Sequence, residues 1–170
     1  GAEKVFYSDT LKSDSLYVEV KARNDSIRYR IKWKDFGEVP FSAADLAGNF
    51  IFLGKDKYTF NFEKANFQFA DTIWKITPAH NVLIDSSMVK FENMGLRSDE
   101  QLVNVHGKIS PNPADTLLLD FTDFDLSNFD LLLQAIDIDM DGQLNGNIRM
   151  FDYYNSPFYL SSLHVDDFAF

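Results

Sequence analysis

The sequence predicts an all-β fold, in which many short antiparallel strands form a repetitive, curved sheet with an open apolar groove or a β-sandwich-like roll. Three observations predict it. Apolar and polar residues alternate with a period of two along most of the 170 residues. Turn residues interrupt the alternation about every ten positions, without a helical pattern between the strands. Seventeen Phe, seven Tyr and two Trp favour half-buried pleated surfaces.

The first clear strands form a predicted hairpin. Their alternating apolar residues are Leu16, Val18 and Val20, followed by Ile27, Tyr29 and Ile31. Asn24-Asp25 supplies the turn chemistry between them. Basic residues between positions 21 and 34 alternate with the second set. This alternation predicts the solvated face of a hairpin rather than a binding stripe.

The segment from about 34 to 47 breaks the alternation and is predicted to be an irregular linker. It contains Pro40, and Ala43-Ala44-Asp45 would allow a short helical turn. Alternation then returns at Phe50 and continues to Phe91. It resumes from Leu102 to Ile109 and from Leu117 to Phe121, each run being the length of a strand.

A short helix is predicted near residues 127–134. Ser127 is a good N-cap, Asp130 is acidic at the third position, and an apolar run follows, which together form a capping-box signal. Strands are expected again at positions 136–140, 144–150 and 158–160, and from Leu163 to the end. The chain starts at Gly1 and stops at Phe170 in mid-pattern, so residues 1–170 are predicted to be one β-rich fragment of a longer repetitive protein.

Composition excludes several classes of function. A net charge of −10 and a pI near 4.6 oppose binding to nucleic acid or to an anionic membrane surface. The absence of cysteine removes thiol nucleophiles, disulfides and cysteine-ligated metals. No apolar run approaches the roughly 20 residues that span a bilayer.

Metal and catalytic motifs are weak in this sequence. Asp137, Asp139, Asp141 and Gly142 imitate the first half of a calcium-binding EF-hand loop, but Ile148 stands where the bidentate Glu belongs. The three histidines, His80, His106 and His164, lack metal-ligand spacing. No nucleophile elbow, phosphate loop or dinucleotide fingerprint occurs. We therefore expect no enzyme activity, no metal and no cofactor.

Two long blocks carry a family resemblance. Residues 104–129 read NVHGKISPNPADTLLLDFTDFDLSNF, and residues 141–170 read DGQLNGNIRMFDYYNSPFYLSSLHVDDFAF. They contain a Gly-Lys-Ile-Ser strand at 107–110, an Asp-Thr-Leu-Leu-Leu strand at 115–119, a Phe-Asp-Leu-Ser turn at 124–127, a Gly-Gln-Leu-Asn-Gly strand at 142–146, and Pro157 in the last hairpin. In these motifs the chain resembles the TamB family of Gram-negative envelope proteins, from about Leu46 onward.

The resemblance implies a long β-sheet folded lengthwise into an apolar groove that crosses the periplasm and is anchored in the inner membrane outside this chain. Proteins of this family are associated with carrying phospholipid along the groove, for biogenesis of the outer membrane. They are also linked to the assembly of outer-membrane and surface proteins with a β-barrel partner of the TamA type. The implied partners are therefore phospholipid acyl chains and such a barrel.

The alternation with a period of two predicts which residues would line the groove. The candidate lipid-facing residues are Phe60, Phe62, Phe67, Phe69, Val82, Ile84, Val103, Val105, Leu117, Leu119, Leu144, Ile148 and Met150. One alternative function is a scaffold whose strand edges pair with client strands by β-augmentation. A second is a carbohydrate-binding or adhesive β-sandwich, with Trp33, Trp74 and Tyr153-Tyr154 as stacking platforms.

Overall fold

A computed structural model describes residues 5–8, 11–13, 15–34, 41–69, 72–77, 80–130 and 139–169. These residues form an all-β structure with a single 3-10 turn at Leu126–Phe129. The strands are β1 Val5–Ser8, β2 Leu11–Ser13, β3 Ser15–Arg23, β4 Ser26–Lys34, β5 Phe41–Gly54, β6 Lys57–Phe69, β7 Thr72–Ile76, β8 Asn81–Asp85, β9 Val89–Ser98, β10 Gln101–Ile109, β11 Thr116–Asp125, β12 Asp141–Phe151 and β13 Phe158–Ala169.

Eleven of these strands form one antiparallel sheet in which neighbours in the sequence are mostly neighbours in space. The order is β13-β12-β11-β10-β9-β7-β6-β5-β4-β3, and β8 pairs with β6 and β9. Strands β7 and β8 thus share one position between β6 and β9. Strands β1 and β2 form a separate pair. The predicted first hairpin is confirmed, with Asn24 in the left-handed region at φ 50°.

The sheet curves strongly toward one face. The rings of Trp74 on β7 and Phe124 on β11 have centroids 5.8 Å apart, although β9 and β10 lie between their strands. In a flat sheet three strand spacings would separate those backbones by about 14 Å. Trp74, Phe124, Leu126 and Leu144 form the buried core on this concave side.

Bulges accompany the curvature. The pairing of β5 with β6 shifts register between Ala47 and Gly48, so β6 carries an extra residue there. Asn93 in β9 and Asp123 in β11 have φ of 53° and 47°, and each lies at a shift in register with a neighbouring strand. Bulges bend a strand and increase its local twist. They explain how long strands in a single sheet follow a curved surface.

The irregular linker predicted for about 34–47 is wrong where the structure describes it. Lys34 ends β4, residues 41–47 belong to β5, and residues 35–40 lie outside the described part. Ala44 stands directly between Trp33 and Phe67 in the sheet, and it is buried. A small side chain fits between two large rings, so cross-strand packing outweighs the weak strand propensity of alanine.

The helix predicted near 127–134 differs from the observed turn. Asp125, not Ser127, is the N-cap, and its Oδ1 accepts a hydrogen bond from the backbone N–H of Ser127 at 2.9 Å. Asp130 instead accepts from the backbone N–H of Met140 at 2.9 Å. The carboxylate that precedes the turn therefore takes the capping role. Residues 131–138, which include the predicted apolar run and part of the next predicted strand, lie outside the described residues.

The convex outer face carries the basic residues of β3 and β4. Asp45 accepts from Lys64 at 2.6 Å and lies near Lys32 at 3.3 Å and Arg30 at 3.5 Å. The hydrogen bond from Lys64 holds the pKa of the Asp45 carboxyl below its ordinary value. Arg28 pairs with Glu63 at 3.2 Å. The basic run thus lies on a solvated face, where four of its cations form ion pairs with Glu19, Asp45 or Glu63.

Candidate functional site

The register of the strands places apolar side chains on one continuous face, which we call the apolar face. Directly paired residues form a row across ten strand positions, from Ala22 on β3 to Tyr159 on β13. The row reads Ala22, Ile27, Phe50, Phe60, Val82, Phe91, Gly107, Leu117, Met150 and Tyr159. Directly opposite residues in a sheet point to the same side. The apolar face therefore extends from one edge strand to the other.

All thirteen candidate groove residues lie on the apolar face. Four of them, Phe60, Val82, Leu117 and Met150, belong to the row, and Val105, Leu119 and Ile148 belong to a second row that starts at Met94. Three more are directly opposite other residues of this face: Val103 pairs with Leu96 and Phe121, Phe67 with Trp74, and Leu144 with Phe124. The last three, Phe62, Phe69 and Ile84, each lie two positions from another candidate on the same strand. The bulge in β6 keeps Phe62 and Phe67 on one side, although their positions differ in parity.

Burial differs along the apolar face. Val82, Leu117 and Leu144 are buried, and the other ten candidates are half-buried. Toward β3 and β13 the face is open, since Val20 is 58% and Tyr159 is 61% exposed. Among the described residues only eight apolar side chains are buried. Much of this apolar surface is therefore accessible from the concave side.

The two ends of the apolar face are built differently. At one end the 3-10 turn places Leu126 and Phe129 over the sheet, where Phe129 contacts Phe124 with ring centroids 5.2 Å apart. At the opposite end the rings of Phe50 and Tyr58 stack at 5.1 Å, and Phe52 packs edge-on against Phe50 at 5.0 Å. The first end is a packed core, whereas the second is a half-exposed aromatic surface.

Tyr29 brings one polar group to the apolar face. Its ring lies over Gly48, and its hydroxyl donates to the carbonyl oxygen of Asn61 at 3.4 Å. Burial raises the pKa of this phenol above its ordinary value. The group therefore stays neutral, which preserves the uncharged character of the face.

His80 lies between the end of β7 and the start of β8, where it bonds to the neighbouring strand β6. It is 5% exposed, and its Nε2 accepts a hydrogen bond from the backbone N–H of Phe62 at 2.8 Å. Its Nδ1 lies 2.8 Å from the carbonyl oxygen of Thr77. Because Nε2 accepts, Nδ1 carries the proton of the neutral ring and donates to Thr77. Sequence spacing offered no signal for this role, because the imidazole takes the place of a backbone acceptor for the Phe62 N–H.

We expect His80→Leu to lower the free energy of unfolding by about 1–3 kcal/mol, because it leaves the Phe62 N–H without its partner. Urea denaturation would measure the loss, and amide exchange at Phe62 would locate it. His106→Leu is the matched control, since His106 is exposed and contacts Asp120 only through a 3.5 Å ion-pair distance. Equal destabilisation by both changes would contradict the bridging role of His80.

One of the rings predicted as a carbohydrate-stacking platform is buried. Trp74 is 4% exposed and belongs to the core, so its ring is not available for stacking on a sugar. Trp33 is half-buried on the apolar face. Tyr153 and Tyr154 are about half exposed, in the turn between β12 and β13. Of the four rings, Trp74 is therefore removed as a stacking platform.

The described ranges contain neither a candidate metal site nor a membrane-spanning helix. No group of three His, Asp or Glu side chains in them is arranged to hold a metal ion. Asp137 of the EF-hand-like sequence lies outside the described residues. In those same ranges no helix has the length and apolar character needed to cross a bilayer.

Comparison with known proteins identified no relative. No protein-family model, no curated protein and no solved structure matches the chain. The resemblance to the TamB family, with the localisation and partners that it implies, therefore stays a prediction that rests on the sequence motifs.

Proposed function

We propose that the apolar face binds phospholipid acyl chains and that the chain is one segment of a longer TamB-like groove in the cell envelope. The parent protein would be anchored in the inner membrane and carry phospholipid across the periplasm to the outer membrane. The observation that carries this proposal is the row of apolar residues from Ala22 to Tyr159, which continues across ten strand positions and is largely half-exposed.

The physical basis is the contrast between the two faces. Each methylene of an acyl chain that leaves water for an apolar surface contributes about 0.8 kcal/mol. The concave face offers such a surface, and the convex face carries the ion pairs of Asp45 and Glu63. Monomeric soluble proteins rarely leave large contiguous apolar patches uncovered, so a patch of this kind indicates a ligand or partner.

Two adjacent leucines on β11 provide a sharp test. Leu119 lies on the apolar face between Val105 and Ile148, whereas Leu118 lies on the outer face between His106 and Arg149. We expect Leu119→Glu to weaken lipid binding at least about tenfold, which corresponds to 1.4 kcal/mol. A charge next to acyl chains is costly to desolvate. Leu118→Glu would leave binding unchanged.

The measurement is native mass spectrometry after incubation with a phospholipid extract and removal of vesicles by centrifugation. Adducts of phospholipid mass on the unsubstituted chain and on Leu118→Glu, but not on Leu119→Glu, would support the proposal. Val20→Glu serves as a second variant on the same face, because Val20 is already exposed and its change should not affect folding. Adducts on all variants, or on none, would refute acyl-chain binding by this face.

A scaffold that pairs with client strands is the second candidate. Strand β13 is an edge of the sheet, and it has large exposed side chains on both of its faces, including Phe158, Leu160 and Leu163. Long apolar edge strands are templates for pairing with another chain. A client strand would slow amide exchange along β13 without producing adducts of lipid mass, which separates this function from the first.

A further inference from the structure

A polar recess lies at the rim of the sheet, away from the open part of the apolar face. Its volume is about 710 Å³, and it is formed where β6, β7 and β9 meet the turn before β10. Asn66, Lys75, Arg97, Asp99 and Gln101 contribute to its walls. The recess is large enough for a phosphate group with its first substituent.

Two cations face each other in this recess. Lys75 on β7 and Arg97 on β9 are directly opposite in the antiparallel register, and both are exposed on the outer face. Their other direct neighbours are Asn66 and Leu102, neither of which carries a charge. Like charges directly opposite each other destabilise a sheet. The arrangement therefore calls for a compensating anion.

No described carboxylate forms an ion pair with either cation. Elsewhere on the outer face, Arg28 pairs with Glu63, and Lys90 and Lys108 pair with acidic neighbours. Neither Lys75 nor Arg97 forms an ion pair or a side-chain hydrogen bond with any described residue, although Asp99 also lines the recess. In a chain with a net charge of −10, two adjacent cations without acidic partners are a departure from the general pattern.

Gln101 lines the recess but is held by the 3-10 turn. Its Oε1 accepts from the backbone N–H of Asp125 at 3.0 Å and from Nδ2 of Asn128 at 2.9 Å. These two bonds define which end of the amide is oxygen. The Nε2 group has no partner among the described residues. The register therefore assigns Gln101 to the apolar face, and the outer-face charges of the recess are those of Lys75, Arg97 and Asp99.

We infer that this recess binds a phosphate group, with Lys75 and Arg97 neutralising its charge. A guanidinium binds phosphate oxygens in a bidentate manner, and an ammonium contributes a compact second charge. The anion removes the repulsion between the two cations. This inference does not depend on acyl-chain binding, because the recess has its own residues. The phosphate could belong to a lipid headgroup or to a free phosphate.

The test compares inorganic phosphate with glycerophosphoglycerol, a deacylated phospholipid headgroup, each titrated against chloride at constant ionic strength. Amide chemical shifts and the unfolding temperature are the two readouts. We expect saturable shifts at residues 72–76 and 97–101 together with a rise in unfolding temperature. Lys75→Gln and Arg97→Gln should each weaken binding at least about tenfold, as expected for loss of a charge-assisted contact. The ligand that binds more tightly identifies the source of the phosphate.

The control is Arg149→Gln. Arg149 is also exposed on the outer face, but its direct neighbours are Leu118 and Leu160, so it opposes no second cation. This variant should bind phosphate like the unsubstituted chain. Without phosphate and at low salt, Arg97→Gln should raise the unfolding temperature by removing repulsion, and Arg149→Gln should not. Shifts that chloride reproduces, or that persist unchanged in both Lys75→Gln and Arg97→Gln, would overturn the inference.

Discussion

Replacing Trp74 by alanine is expected to lower the free energy of unfolding by about 3–5 kcal/mol, the usual cost of removing a large buried aromatic side chain. Trp74 is 4% exposed and contacts Phe124 across two intervening strands. Its removal leaves a cavity and also takes away the contact that holds the curved sheet together at this end. Urea denaturation followed by far-ultraviolet circular dichroism would measure the change.

Trp33→Ala is the matched control for this prediction. Trp33 lies on the same face but is only half-buried, so its replacement should cost clearly less. Because the chain contains only these two tryptophans, each variant also shows the fluorescence of the one that remains. Similar costs for both substitutions would mean that the Trp74–Phe124 contact does not stabilise the curvature.

The second large effect is expected for Gly146→Ala. Gly146 has φ of 122°, and a Cβ at this position would lie against the backbone carbonyl oxygen of Ser162 on β13. We expect a loss of about 3 kcal/mol, at the upper end of the range for a residue held in a sparsely populated backbone conformation. Strand β13 would have to move away from β12, because the new Cβ would overlap with the backbone of β13. Thermal or urea unfolding would measure the loss.

Gly54→Ala distinguishes strain from steric overlap. Gly54 has φ of 148°, but no heavy atom lies within 4 Å of the Cβ position. Its replacement therefore introduces backbone strain alone, and we expect a loss of about 1 kcal/mol. If both substitutions had the same effect, the close approach of β13 to Gly146 would not be the cause of the larger loss.

The sequence alone predicts the all-β class, because alternation with a period of two is a local property. Tyr58, Phe60 and Phe62 must share a face in any strand, and Asn24-Asp25 favours a turn whatever surrounds it. The same periodicity puts candidate groove residues that are two positions apart, such as Leu117 and Leu119, on one face of their strand. It does not relate one group to the next.

The relation between strands is decided by tertiary structure. Phe62 and Phe67 differ in parity, and they share a face only because the pairing of β5 with β6 inserts a bulge between them. A one-residue shift would move a whole strand to the opposite side of the sheet. Likewise, Ala43-Ala44-Asp45 is strand rather than helical turn because Ala44 fits between Trp33 and Phe67.

Sites formed by residues distant in sequence were also not predictable. Lys75 and Arg97 meet only because β7 pairs with the end of β9, and His80 reaches the Phe62 N–H only because the strand between β6 and β9 is interrupted. The alternation within strands and the local turns can be read from the sequence, because they depend on neighbouring residues. The tertiary structure decided the common apolar face and the paired cations, because register and curvature arise from contacts between strands.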